Sequence, residues 1–125
     1  VLEAEGASGL IATNTTIERF GIADVGPGGL SGRPLAPRSR DVVALLCDAT
    51  ALPVIGVGGI SDVQGALAML DAGASAIQLY SALVFQGPRL IPRLNAGLAA
   101  RWAERVSEQH GEAAEQHGEA VVTRA

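Results

Sequence analysis

Three short apolar runs punctuate the chain. Gly9-Leu10-Ile11-Ala12-Thr13 is bounded by glycine and polar residues. Val54-Ile55-Gly56-Val57 is entered from Pro53 and left through Gly58-Gly59, and Ala76-Ile77-Gln78-Leu79-Tyr80 follows later. Runs of four or five apolar residues, each trailed by a helical pattern, predict buried parallel strands of an α/β protein. The helical patterns carry their own punctuation. Ser61-x-x-Gln64 fits a capping box, with Val63, Ala66, Leu67 and Leu70 at three- and four-residue spacing and Gly73 as the stop. Val42, Val43, Leu45 and Leu46 make one face of another helix, with Ser39 as its cap. A last helix starts at Gly87-Pro88 and presents Leu90, Ile91, Leu94 and Leu98. The pattern is three βα units.

Past Arg105 the pattern is lost. Glu108-Gln109-His110-Gly111-Glu112-Ala113 recurs as Glu115-Gln116-His117-Gly118-Glu119-Ala120, and nothing apolar larger than Ala occupies either copy. That composition predicts a solvated low-complexity tail without regular structure, not a coiled coil. The expected division is therefore 1–105, an α/β unit, and 106–125, a tail. His110 and His117 are expected to be solvated side chains of that tail, not a metal pair.

Composition narrows the function classes. The chain has 125 residues, 48% of them apolar and 18% charged, which excludes a disordered chain and fits one soluble domain. A net charge of −4 provides no broad basic face for a nucleic-acid backbone. The apolar stretches are too short and too interrupted to cross a bilayer. Cys47 stands alone, so neither a disulfide framework nor a multi-cysteine metal site is expected. It lies on an apolar helical face and reads as core filling; Trp102 reads as cover for a helix end. All nine cations are Arg, and the sequence contains no Lys. The chain opens on Val1, followed by no signal-peptide pattern. A piece of a longer protein and a valine-encoded start both remain open.

Polar and glycine residues gather where a site is expected. Ligands of parallel α/β folds sit at the carboxyl ends of the strands. Thr13-Asn14-Thr15-Thr16 follows the first run, Gly58-Gly59 the second, and Tyr80-Ser81 ends the third. Gly58 and Gly59 let backbone N–H groups approach an anion, with a helix start at Ser61 behind them. Tyr80-Ser81 offers backbone amides and a hydroxyl before another short helical stretch. The Asn14 carboxamide suits a planar imide or carboxylate, flanked by the Thr13 and Thr15 hydroxyls. These types fit a phosphate-bearing cofactor beside a small polar ring. Simpler readings stay open: a tight turn at Gly58-Gly59, a turn cap at Asn14, and a flexible loop at Gly28-Gly29-Leu30-Ser31-Gly32.

Four motifs together resemble one family. Ile11-Ala12-Thr13-Asn14-Thr15-Thr16, Gly28-Gly29-Leu30-Ser31-Gly32-Arg33-Pro34-Leu35, Ile55-Gly56-Val57-Gly58-Gly59-Ile60 and Gln78-Leu79-Tyr80-Ser81 occur in the order and spacing of dihydroorotate dehydrogenase, over roughly residues 1–100. The second and fourth resemble the class 2, quinone-dependent branch. The resemblance implies an FMN-containing (β/α)8 TIM barrel that oxidises (S)-dihydroorotate to orotate in de novo pyrimidine biosynthesis. A quinone then reoxidises the flavin. It implies substrate contacts for Asn14 and Thr15. It implies FMN contacts for Thr13, Gly32 and Gly59, with Gly58 in the same turn, and for Tyr80 and Ser81 near the phosphate. For a full-length enzyme it also implies peripheral association with the cytoplasmic side of the cell membrane.

Departures limit that inference. The family's catalytic base is a serine in an Asn-rich loop on an earlier strand, and no such segment occurs here. A flavin-contacting lysine has no counterpart in a lysine-free chain. No catalytic residue and no metal ligand is therefore expected in this chain, nor are the amino-terminal helices that meet membrane and quinone. The expected fold is a partial barrel, about the last three βα units. A closed barrel needs about 250 residues. Two alternatives stand beside this reading: a non-catalytic half-barrel remnant or binding module, and another FMN-dependent dihydropyrimidine oxidoreductase.

Overall fold

A computed structural model describes residues 4–19, 21 and 26–122, giving the backbone alone from 108 onward. Strand β1 (Leu10–Ala12) is followed by a 3-10 turn (Arg33–Leu35) and helix α1 (Ala36–Ala49). Then come β2 (Val54–Val57), α2 (Val63–Asp71), β3 (Ala76–Gln78), α3 (Ser81–Gln86) and α4 (Leu90–Val122). The sheet is parallel in the order β1-β2-β3. Adjacent parallel strands joined through helices that pack on one face are the arrangement of an open section of a barrel wall.

Register divides the strand residues between two faces. Ala12 stands beside Gly56, and Gly56 beside Ile77, while Ile11, Ile55 and Ala76 share the alternate row. The first row meets the helices. Ala12, Val54, Val43, Ala66, Met69, Leu90 and Leu94 form one buried cluster, with Ile77 and Cys47 packed at its margin. Gly56 is required there, because a Cβ would lie 2.5 Å from Met69 Cγ. The alternate row is open, and Ile11 is 66% exposed. The sequence predicts buried parallel strands. Only the helix-facing row is buried, because a single layer of helices covers this sheet.

Helix starts also differ from prediction. Helix α1 begins at Ala36, directly after the 3-10 turn, with proline in the first positions of both segments. Ser39 is thus inside the helix, not its cap, and is fully buried. Helix α2 is capped by Asp62, whose Oδ1 accepts from the Gly65 N–H at 2.8 Å. The capping box expected from Ser61 is shifted by one residue because the carboxylate takes the amide. Gly73 does follow the end of α2, at φ +102°. Gly97 brings α4 onto Val63 of α2, where a Cβ would have no room. Leu45 and Trp102, expected on packed faces, are 67% and 70% exposed. The backbone of the seven-residue repeat continues α4 as helix to Val122, where irregular structure is predicted. His110 and His117 lie outside the described side chains.

Candidate functional site

Parallel strands deliver their carboxyl ends to one edge, and the three following loops meet there. The Thr13 N–H donates to Val57 O at 2.8 Å, extending the β1–β2 ladder into the site. The glycine-rich loop is tied to the loop after β1: Thr16 and Leu30 exchange both backbone hydrogen bonds, at 3.1 and 2.7 Å. Arg19 Nη2 adds bonds to the carbonyls of Gly26 and Gly28, at 3.1 and 3.0 Å. Ser31 Oγ lies 2.9 Å from Ser81 Oγ, which joins that loop to the loop after β3.

These loops enclose a cavity of about 650 Å³. Thr13, Asn14, Thr15, Gly32, Gly58, Gly59, Tyr80 and Ser81, the eight residues singled out in the sequence, all line it. Asn14 Oδ1 accepts from the Thr15 N–H at 2.8 Å, which orients the carboxamide and leaves its NH2 available as a donor. Thr13 Oγ1 is buried, with no hydrogen-bond partner among the described residues. An unsatisfied buried hydroxyl costs about 1–3 kcal/mol, so this atom is suited to a ligand. Backbone φ is +78° at Gly32, +124° at Gly58 and +75° at Gly59, the region side chains rarely adopt. Bare backbone therefore faces the cavity at two of its walls.

Ser61 is expected only as a helix start behind Gly58-Gly59, and no site role is expected for Arg33 or Gln86, yet all three line the cavity. Arg33 Nε donates to Ser61 Oγ at 3.1 Å, and Gln86 Nε2 donates to Ser61 O at 2.9 Å. Arg33 carries the one charge among the described lining residues, and its positive sign favours an anionic ligand. At the start of α2 the Asp62 carboxylate accepts from the Gly65 N–H, which places a negative charge at the helix end expected to face an anion. Adjacency to recognised motifs was the available signal: Arg33 follows Gly32, and Ser61 lies two residues past Gly59. Among the described residues there is no group of three or more His, Cys, Asp or Glu placed to hold a metal, and no helix long and apolar enough to cross a membrane.

An open parallel α/β wall with a cavity at its strand ends defines the class of protein. Within that class, the family model for dihydroorotate dehydrogenase matches residues 1–102, and the chain belongs to that family. It is 50% identical over 101 residues to a dihydroorotate dehydrogenase (quinone) of Chloroflexus aurantiacus, covering 74% of this chain and 28% of the relative. It is 49% identical over 105 residues to another of that name from Parvibaculum lavamentivorans, covering 79% and 30%. Among solved structures, DHODH of Eimeria tenella in complex with ferulenol superposes with a TM-score of 0.76 at 33% identity, covering 83% of this chain and 29% of that one. The relatives place the chain with the class 2, quinone-type branch. It spans under a third of their length.

Proposed function

We propose that this chain forms the flavin- and substrate-holding wall of an FMN-dependent dihydroorotate dehydrogenase, as about the last three βα units of its barrel. The whole enzyme would oxidise (S)-dihydroorotate to orotate, with a quinone as terminal acceptor, in pyrimidine biosynthesis. The observation that carries this reading is the convergence of Asn14, Thr15, Gly32, Gly59 and Ser81 on one cavity, from segments far apart in sequence. Three features fit the flavin: the orphaned Thr13 hydroxyl, the glycine-walled approach and the cationic Arg33.

Bound here, FMN would supply the two-electron acceptor that no amino-acid side chain provides. This chain's residues supply binding and orientation. The Asn14 NH2 and the Thr15 hydroxyl would hold the polar edge of the pyrimidine ring. Thr13 would satisfy its hydroxyl on the cofactor. The amides of Gly32 and Gly59 and the Tyr80–Ser81 segment would surround the phosphate, with Ser81 held by Ser31. No Lys and no serine in an Asn-rich loop occur in this sequence, so we assign the proton acceptor to a part of the enzyme outside these residues. Membrane association and quinone contact belong, on this reading, to the full-length enzyme.

Titration of the purified chain with FMN, followed by flavin fluorescence, tests the proposal. Saturable quenching, with the bound flavin's absorption band perturbed by added orotate, is expected. Absence of flavin binding would overturn it.

A further inference from the structure

Ser39 is fully buried in α1 and does not line the cavity, yet its hydroxyl reaches the cavity's glycine turn. Ser39 Oγ lies 2.7 Å from Gly58 O and 3.0 Å from Ala36 O. A hydroxyl has one proton to donate, and the shorter contact is to Gly58, nineteen residues away and beyond β2. A serine inside a helix ordinarily bonds back to its own preceding turn. The turn is pressed against the same helix. A Cβ on Gly58 would lie 2.9 Å from Ser39 Cβ, and one on Gly59 would lie 2.5 Å from the Ala36 backbone.

The peptide joining Gly58 to Gly59 is trans. Its carbonyl and N–H are therefore antiparallel in one plane. With the Gly58 carbonyl held toward α1, the Gly59 N–H points away from α1, and among the described residues it meets no acceptor. Both glycines line the cavity. We propose that Ser39 is a positioning residue: by holding the Gly58 carbonyl, it aims the Gly59 N–H into the cavity, where it donates to a phosphate monoester. This inference rests on the flavin reading for the identity of that monoester, but not for the direction of the amide.

FMN and riboflavin differ by the phosphate alone, so their affinity ratio reads the cradle. On the full chain, FMN is expected to bind at least about tenfold more tightly than riboflavin, as for a charge-assisted hydrogen bond. Ser39→Ala should collapse most of that ratio with riboflavin affinity unchanged, and Ser39→Thr, which keeps the hydroxyl, should restore it. A ratio unchanged in Ser39→Ala, or equal losses for both flavins, would overturn the proposal. A second measurement needs no variant. In the 15N-labelled chain, the Gly59 amide signal should move with FMN or inorganic phosphate and stay still with riboflavin. Movement with phosphate but no flavin binding would uphold the amide's direction and defeat the flavin reading. Flavin binding with a motionless Gly59 signal would do the reverse, and no response to any of these ligands would defeat both.

Discussion

Gly29 lies so close to Thr15 that a Cβ built on it would overlap the threonine hydroxyl. The glycine loop and the loop after β1 are thus fitted to each other. The Thr16–Leu30 pair one residue further along holds them in register. Gly29→Ala is expected to push Thr15 aside and break that pair. Two lost backbone bonds amount to about 1–3 kcal/mol of local stability. Amide exchange at Leu30 should accelerate accordingly and orotate binding should weaken, while the core amides of β2 keep their protection. Unchanged exchange at Leu30 would show that the two loops are independent.

Asn14 is exposed, and its carboxamide is oriented by Thr15 alone among the described residues. Asn14→Ala removes a donor without touching the core. Orotate affinity is expected to fall by about 1–3 kcal/mol, roughly 5- to 150-fold, with no change in melting temperature. Calorimetric titration checks this, and an unchanged affinity would remove Asn14 from the substrate contacts.

Most of this site was legible in the sequence, and the reason is topological. Parallel strands present their following loops to one edge, so finding three strands locates the loops without any tertiary information. Thr13, Gly59 and Ser81 meet for that reason. What escaped was side-chain reach. That Arg33 meets Ser61, or that Ser39 turns inward to Gly58, depends on how α1 sits on β2, and no spacing rule encodes it. The exposure of Ile11 was hidden for a different reason. An apolar run reads as buried whether or not a second layer is present to cover it.

The exchange of Ser61 for Asp62 at the start of α2 has an energetic consequence. Asp62 Oδ1 satisfies the Gly65 N–H, and Oδ2 lies 3.3 Å from Ser61 Oγ, which accepts from Arg33. Asp62→Ala should therefore destabilise the chain by about 0.5–2 kcal/mol, the usual cost of a lost cap. Asp62→Asn, which retains an acceptor, should recover most of it, and Ser61→Ala should leave the cap untouched. Denaturant melts of the three variants separate these contributions. Equal losses for Asp62→Ala and Ser61→Ala would return the capping role to the serine.

Tight packing beneath β2 sets the most sensitive core position. Gly56 faces Met69, and a methyl group there would also stand 3.1 Å from Ala74 Cβ. Met69 is flexible and gives way partly, so Gly56→Ala is expected to cost about 1–3 kcal/mol, the range for overpacking. Met69→Ala opens a cavity instead and should cost about 2–5 kcal/mol. The two changes share one space, so the double variant should be less destabilised than the sum of the singles. Additive losses in a thermal-melt cycle would show that the residues do not compete for that space.

The sheet ends at β1 and β3, and each of these strands is paired on one side only among the described residues. Ile11 stands on β1 with two-thirds of its surface in water, and Val84 and Phe85 of α3 are more exposed still. Unpaired strand backbone beside exposed apolar side chains is a template for association, and nothing charged within β1 discourages it. The isolated chain is therefore expected to self-associate as its concentration rises. Light scattering across a dilution series would detect that. Ile11→Lys, which places a charge on the open edge without entering the buried cluster, should shift the population toward monomer at unchanged helical content. A wild-type chain that stays monomeric at every concentration, with a cooperative melt, would show that this three-stranded wall is sufficient by itself.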